Sequence, residues 1–225
     1  MSDFKTPLSV GRISPMTAAW LIEDIVATVL DITVEAWVCL CKQERVQATD
    51  IENDITDRLR WEMSREKQRR TPSPQLRFER ETQRDDADKE FPTGRIDVFV
   101  IYSFEEDEYF AMECKKVDDR HETSAKKYVK NGVCRFSEGK YSPGHPYAAM
   151  IAFVSEGTRE SAAEYIGRYL IAYNKSSTKI DEQWGWQTET GFGTLPDLYS
   201  SRHCQAGTGN TIQLLHLFLD CCGHA

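Results

Sequence analysis

Gly94-Arg95-Ile96-Asp97-Val98-Phe99-Val100-Ile101-Tyr102-Ser103, then Phe104-Glu105-Glu106-Asp107-Glu108, then Tyr109-Phe110-Ala111-Met112-Glu113-Cys114-Lys115 is the stretch that decides how this chain folds. Two runs rich in Val, Ile, Phe and Tyr have strand character, and the acidic link between them is too charged to bury. So short a link permits only an antiparallel pair, because parallel strands need a crossover of about a dozen residues or more. With the turn centred near Glu106, Phe99 is expected to face Glu113 and Asp97 to face Lys115. Strand alternation then projects Asp97, Glu113 and Lys115 from one side of the sheet, with Asp97 and Glu113 as diagonal neighbours. A slip of one residue would put Asp97 on the opposite face, so the geometry hangs on the turn.

Two carboxylates and an amine gathered in this way suit a hard cation. Mg2+ or Mn2+ takes oxygen ligands, and a site with one or two carboxylates leaves places for water and for a phosphate oxygen. Asp97 and Glu113 are the expected metal ligands, with the backbone carbonyl of Cys114 beside them. The Cys114 thiol alternates to the other face, into the core. Lys115 is placed to orient an attacking water or to offset charge developing on phosphorus oxygens. The ordinary alternative is a solvated hairpin end with a surface salt bridge, which contributes little to stability.

Asp97 followed on the next strand by Glu113-Cys114-Lys115 resembles the core motif of the PD-(D/E)XK nuclease superfamily. The resemblance implies an α/β, restriction-endonuclease-like fold, a mixed central β-sheet flanked by α-helices. It implies metal-dependent hydrolysis of phosphodiester bonds in nucleic acid, DNA ahead of RNA, with Mg2+ or Mn2+ as cofactor. It also implies a helix before the motif that supplies a further acidic residue. In this chain that residue is Glu52, at the start of a helix expected over Ile51 to Arg65, with Asp54 and Asp57 as alternatives.

Downstream, Tyr128-x-x-x-Gly132-x-x-Arg135-Phe136, then Gly139-Lys140-Tyr141-Ser142, then Ala148-Ala149-Met150-Ile151 is similar to a pattern in nuclease-like proteins of prokaryotic mobile-element and defence gene clusters. That resemblance implies a role in anti-phage defence. It makes Arg135, Lys140 and Tyr141, together with Arg95 and Lys116 beside the motif, candidate contacts to a phosphate or a base. For Tyr128 and Phe136 the ordinary reading is core packing.

A chain of 225 residues with 40% hydrophobic residues can bury a sizeable core within a single domain. The expected layout is N-terminal helices over 1–70, a motif-bearing sheet core over 71–155, and a helix, an irregular segment and a last strand over 156–225. The most apolar helical stretch, Ala18 to Leu40, is interrupted by Glu23, Asp24, Asp31 and Glu35, so no membrane span or leader is expected and the location is read as cytoplasmic. Seven cysteines without a disulfide-like framework fit reduced thiols.

The formal charge of −8 is awkward for a protein that holds nucleic acid. Basic residues dominate from Arg58 to Arg84, including Arg60, Arg65, Lys67, Arg69, Arg70, Arg77 and Arg80, whereas acids are dense from Asp85 to Asp119. The basic run is either a phosphate-contacting stripe or a solvated helix face whose Glu and Arg pair at helical spacing. The acidic surface could instead serve a protein partner.

Apolar spacing predicts helices over Trp20 to Lys42, Glu122 to Phe136 and Thr158 to Tyr173, with Asp50 capping the second helix. Strands are expected over Leu76 to Glu81, Tyr147 to Val154 and Thr211 to Leu219, a polar loop over Arg84 to Pro92, and irregular chain over Ser176 to Asn210. A helix between two strands in this order suggests a crossover on the sheet. His216, inside the last apolar run, reads as a hydrogen-bonded structural histidine. His203, Cys204, His216, Cys221, Cys222 and His224 lack the paired short spacings of a zinc site. There is no Gly-x-Ser-x-Gly elbow and no phosphate-binding loop, so any nucleotide hydrolysis falls to a partner.

Two rival functions stay open. In one, the nuclease fold is catalytically silent and serves as a binding subunit for a helicase or other ATPase. In the other, the chain is an acidic inhibitor or immunity module that mimics nucleic acid. A homo-oligomer and control by an associated protein are further expectations.

Overall fold

The computed structural model describes residues 15–80, 95–103, 108–173, 175–193, 195 and 197–221. Two helices come first, α1 (Pro15–Lys42) and α2 (Glu52–Arg69). Strands β1 (Arg77–Glu79), β2 (Val98–Ile101) and β3 (Tyr109–Asp118) follow. A continuous helical stretch comes next, made of α3 (Glu122–Tyr128), a π-helical turn (Val129–Val133) and α4 (Cys134–Ser137). Then come β4 (Tyr147–Glu156), α5 (Arg159–Ala172), the short α6 (Lys175–Thr178), β5 (Trp186–Thr188), β6 (Leu198–Cys204) and β7 (Thr211–Asp220).

The seven strands form one mixed sheet in the order β1-β2-β3-β4-β7-β6-β5. Its centre, β3-β4-β7, is parallel, and both flanks are antiparallel. The parallel neighbours need crossovers, and the α3–α4 stretch and α5 supply them. The expected α/β architecture, a mixed sheet flanked by helices, is what the chain adopts.

Alternation along the central strands divides the core. Phe110, Met112 and Cys114 of β3, with Ile151 and Phe153 of β4, pack under α1 and α2, where Trp37 stacks on Phe153 at 5.2 Å between ring centroids. Ala111 and Val117 of β3, with Met150 and Ala152 of β4, face Tyr128, Val129, Phe136 and the apolar side of α5. Strands buried on both faces read as near-continuous apolar runs, which is why β4 and β7 are legible in the sequence.

A polar chain threads the second half-core. His203 Nδ1 lies 2.7 Å from the Thr178 carbonyl, Ser201 Oγ lies 2.7 Å from His203 Nε2 and 2.8 Å from His216 Nε2, and Tyr128 Oη lies 2.9 Å from His216 Nδ1. Burial holds both imidazoles below the usual histidine range, His203 at about 4, so both are neutral near pH 7. The carbonyl can only accept, which fixes every hydrogen in the chain. His203 donates to Thr178, Ser201 to His203, His216 to Ser201, and Tyr128 to His216. His216 is the structural histidine that was expected, and Tyr128 and Phe136 are core residues.

Several expectations need correction. The hairpin register is Phe99 opposite Ala111 and Val98 opposite Met112, two residues from the expected pairing; a shift of two keeps every side chain on its face. Asp50 does not cap α2, whose N-cap Ile51 makes no side-chain cap bond. Asp50 instead accepts hydrogen bonds from the Gln47 N–H and the Arg58 guanidinium. The irregular segment Ser176 to Asn210 contains two strands of the sheet, β5 and β6. Cys41 is disulfide-bonded, against the reading of reduced thiols throughout, while the other described cysteines, Cys39, Cys114, Cys134, Cys204 and Cys221, are free. No described helix is long and apolar enough to cross a membrane. The polar loop Arg84 to Pro92, together with Gly94, Phe104 to Asp107, Cys222 and His224, lies outside the described residues.

Candidate active site at the edge of the third strand

Strand β2 pairs with β3 only as far as Met112, yet β3 continues to Asp118. Beyond that point the N–H groups on this edge need other acceptors, since an unmet buried N–H is costly. Carboxylates supply them. Asp97, just before β2, accepts the Cys114 N–H at 2.9 Å through Oδ2, and Glu52 accepts the Lys116 N–H at 2.7 Å through Oε2. Glu52 reaches the edge because Ile55, Leu59 and Met63, spaced four apart, lay α2 against the sheet and aim its first turn at β3.

Glu113 and Lys115 alternate onto this same side, and Lys115 closes the cluster. Its Nζ lies 2.7 Å from Glu113 Oε1, 3.3 Å from Glu52 Oε1 and 3.7 Å from Asp97 Oδ2, and it donates to the Cys114 carbonyl at 2.6 Å. The expected set of Asp97, Glu113, Lys115, Glu52 and the Cys114 carbonyl is thus gathered at one place. Asp54 and Asp57 do not join it; Asp57 pairs with Arg60 and Arg80. The Cys114 thiol is buried in the opposite half-core, as alternation requires.

Glu113 is 4% exposed and sits beside a second carboxylate. Burial first, then the Asp97 charge, push its carboxyl up to about 8, against the pull of Lys115 and the weaker pull of Arg135. Lys115 is shifted upward, because Glu113, Asp97 and Glu52 together outweigh the cost of burying it, so it stays an ammonium. One atom is left over: Glu113 Oε2 is buried and has no hydrogen-bond partner. An orphaned carboxylate oxygen in a polar cluster is the kind of atom a cation would satisfy.

The donors fit a hard divalent ion in kind, all being oxygens of carboxylates and a backbone carbonyl. In spacing they are set around the ammonium. Among the described residues no group of three or more His, Cys, Asp or Glu side chains is close enough to hold a metal ion. Lys115 lies at the focus of the carboxylates, so an ion that used all three would displace its Nζ. Asp97 and Glu113 would be its ligands, with the Cys114 carbonyl freed from Lys115 as a third oxygen.

The remaining candidates divide. Tyr141 and Arg135 adjoin the site: the Tyr141 hydroxyl donates to the Arg95 carbonyl at 2.9 Å, and Arg135 donates to the Tyr141 oxygen at 3.2 Å. Tyr141 is buried, so its hydroxyl braces the chain entering Asp97. Arg95 itself is exposed at the mouth of β2. Lys116 turns away, its Nζ held by the carbonyls of Ala48 and Asp50. Lys140 is exposed and paired with Glu138 at 2.7 Å.

Sequence reasoning gave Gly132 no role. A Cβ there would lie 2.3 Å from Met150 Cε and 3.9 Å from Glu113 Cγ, so the bare glycine lets the π-helical turn sit directly over the site. A glycine inside a helical pattern was the available signal. Compared with protein-family models, with curated proteins and with solved structures, the chain has no match in any of the three.

Proposed function

We propose that the protein is a metal-dependent nuclease of the PD-(D/E)XK type, hydrolysing phosphodiester bonds of nucleic acid, DNA in the first instance. One observation carries the reading: Asp97, Glu113 and Glu52 converge on Lys115 at a sheet edge, with one buried Glu113 oxygen unpartnered. A Mg2+ or Mn2+ ion bound there would polarise a phosphoryl oxygen and lower the pKa of its water. Asp97 and Glu113 would hold the ion through carboxylate oxygens. Lys115, once freed from Glu113, would orient the attacking water and offset charge on the phosphorus oxygens. Glu52 keeps the end of β3 in register through the Lys116 N–H and remains within reach of Lys115. Arg135, beside Glu113, offers a planar guanidinium to a phosphate.

The test pairs binding with cutting. Mn2+ titrated into the protein and followed by electron paramagnetic resonance is expected to show a bound ion that Asp97→Asn weakens. Lys115→Ala is expected to abolish cleavage, by a factor of about a hundred or more, while leaving nucleic-acid binding and the fold in place. Cutting at the wild-type rate by Lys115→Ala would remove the proposal.

A second reading has its own support, because Lys115 and the two strand N–H groups already engage all three carboxylates without an ion. In that case the chain is a catalytically silent nuclease-fold subunit that binds nucleic acid beside an ATPase partner. Binding that is indifferent to Mn2+, with no cleavage, is its signature. A defence role and regulation by an associated protein belong with either reading.

A further inference from the structure

Two helical stretches of this acidic chain are rich in basic residues, and they spend those charges differently. On α2 the arginines are engaged by carboxylates: Arg58 by Asp50 at 2.6 Å, Arg60 by Asp57 at 3.8 Å, Arg65 by Glu62 at 3.4 Å, and Arg69 by Glu62 and Glu66. Arg70 pairs with Glu35 at 2.7 Å, and Lys67 donates to the Leu76 carbonyl. The basic run, which the sequence left open between a phosphate-contacting stripe and a helix face paired within itself, takes the second form among its described residues. From Thr123 to Ser137, by contrast, every charged residue is basic: Lys126, Lys127, Lys130 and Arg135. The three lysines are exposed, and none forms an ion pair with a described residue.

The C-terminal end of this stretch adjoins the candidate site. Arg135, half-buried at its end, acts electrostatically on Glu113, and Gly132, between Lys130 and Arg135, lies directly over the Glu113 side chain. Exposed ammonium groups without an ion pair to a described residue, followed by a guanidinium beside a cluster of carboxylates, are complementary to a polyanionic strand whose one phosphate must reach that cluster. We infer that the phosphodiester backbone of the substrate runs along the exposed side of the α3–π–α4 stretch, contacting Lys126, Lys127 and Lys130, and enters the site past Arg135, while α2 makes no part of the track. The inference rests on the nuclease reading and adds to it the path of the substrate.

The three lysines contact phosphates and no base edges, so they give affinity without sequence preference. Their signature is therefore salt dependence. Fluorescence anisotropy with single-stranded and duplex oligonucleotides of equal length, at several salt concentrations, compares wild type with the Lys126→Gln/Lys127→Gln/Lys130→Gln variant. Each lost phosphate contact lowers the slope of log affinity against log salt by about one. A slope shallower by about two to three is expected, on whichever strand form binds. As a check that needs no variant, lysine acetylation of the wild-type protein with and without oligonucleotide is expected to show protection at these three positions and none at Lys42. Wild-type affinity and slope in the triple variant, or no protection at the three lysines, overturns the inference while leaving the nuclease reading intact. A wild-type protein that neither binds nor cuts any oligonucleotide with Mn2+ overturns both.

Discussion

Glu113 concentrates the chemistry of the site in one side chain. Its carboxyl, pushed up to about 8 by burial and by Asp97, holds its proton more tightly than an ordinary carboxyl does. A divalent ion needs the carboxylate, so it must displace that proton. Mn2+ affinity is expected to rise as pH is raised from about 6 to about 8, with about one proton released per ion bound in this range. Calorimetry in buffers of different ionisation enthalpy reads both quantities. The Glu113→Gln variant should bind more weakly and lose the pH dependence, and an affinity flat over the same range in wild type would contradict the assignment. The sign for folding is separate: the folded pKa lies above the unfolded one, so Glu113 contributes stability that is fully present below about 4.5 and is lost as pH rises through 8.

At the scale of elements, the edge formed by β5 and β6 depends on one close approach. Trp186 of β5 lies over Gly167 of α5, where a Cβ would sit 2.7 Å from both Cδ1 and Nε1 of the indole. A rigid ring cannot yield as a methionine end does, so Gly167→Ala must move the strand or the helix. The overpacking cost of about 1–3 kcal/mol exceeds the gain in helix propensity of about 1 kcal/mol. A net loss of about 1 kcal/mol is expected, with a changed tryptophan emission, read by denaturant unfolding followed by fluorescence. The same edge shows where sequence reading stops. Strands β4 and β7 were legible because burial on both faces makes them near-continuous apolar runs, and β3 through its apolar start from Tyr109 to Met112. Strand β6, Leu198-Tyr199-Ser200-Ser201-Arg202-His203-Cys204, fills buried positions on its two faces with the polar Ser200, Ser201 and His203, which hides it from an apolar pattern. The partners that satisfy Ser201 and His203 lie up to 25 residues away in the chain, so no local pattern announces them. In the site, alternation alone gathered Asp97, Glu113 and Lys115, and a register displaced by two left that result standing. The placement of Glu52 rested on resemblance, because only the packed geometry of α2 distinguishes it from Asp54 and Asp57.

For the whole molecule, the polar chain from Tyr128 to Thr178 joins a crossover helix, two neighbouring strands and the short α6 through the second half-core. Its histidines are buried neutral, and protonating either one would reverse a hydrogen bond that has no alternative acceptor geometry. Their folded pKa values lie below the unfolded value near 6.5, so their contribution is intact above about 6.5 and is lost as pH falls towards 4. In the Glu113→Gln background, where the opposing carboxyl is removed, the urea midpoint is expected to fall steadily from pH 6.5 to pH 4. A midpoint constant over that interval would show that the histidines titrate normally. Tyr128→Phe leaves His216 Nδ1 buried without its donor, a loss of about 1–3 kcal/mol.

The short reach of β2 has a consequence for association. It leaves the second half of β3 as an open strand edge, the kind of surface that pairs with another chain and seeds aggregates. Asp97 and Glu52 occupy two of its N–H groups, and Lys115 occupies the carbonyl between them. The residues proposed to cut nucleic acid therefore also seal the sheet against its neighbours. Inactive variants made as amides, Asp97→Asn or Glu52→Gln, keep an acceptor on that edge and should stay monodisperse in light scattering; the alanine versions uncover it and are expected to self-associate.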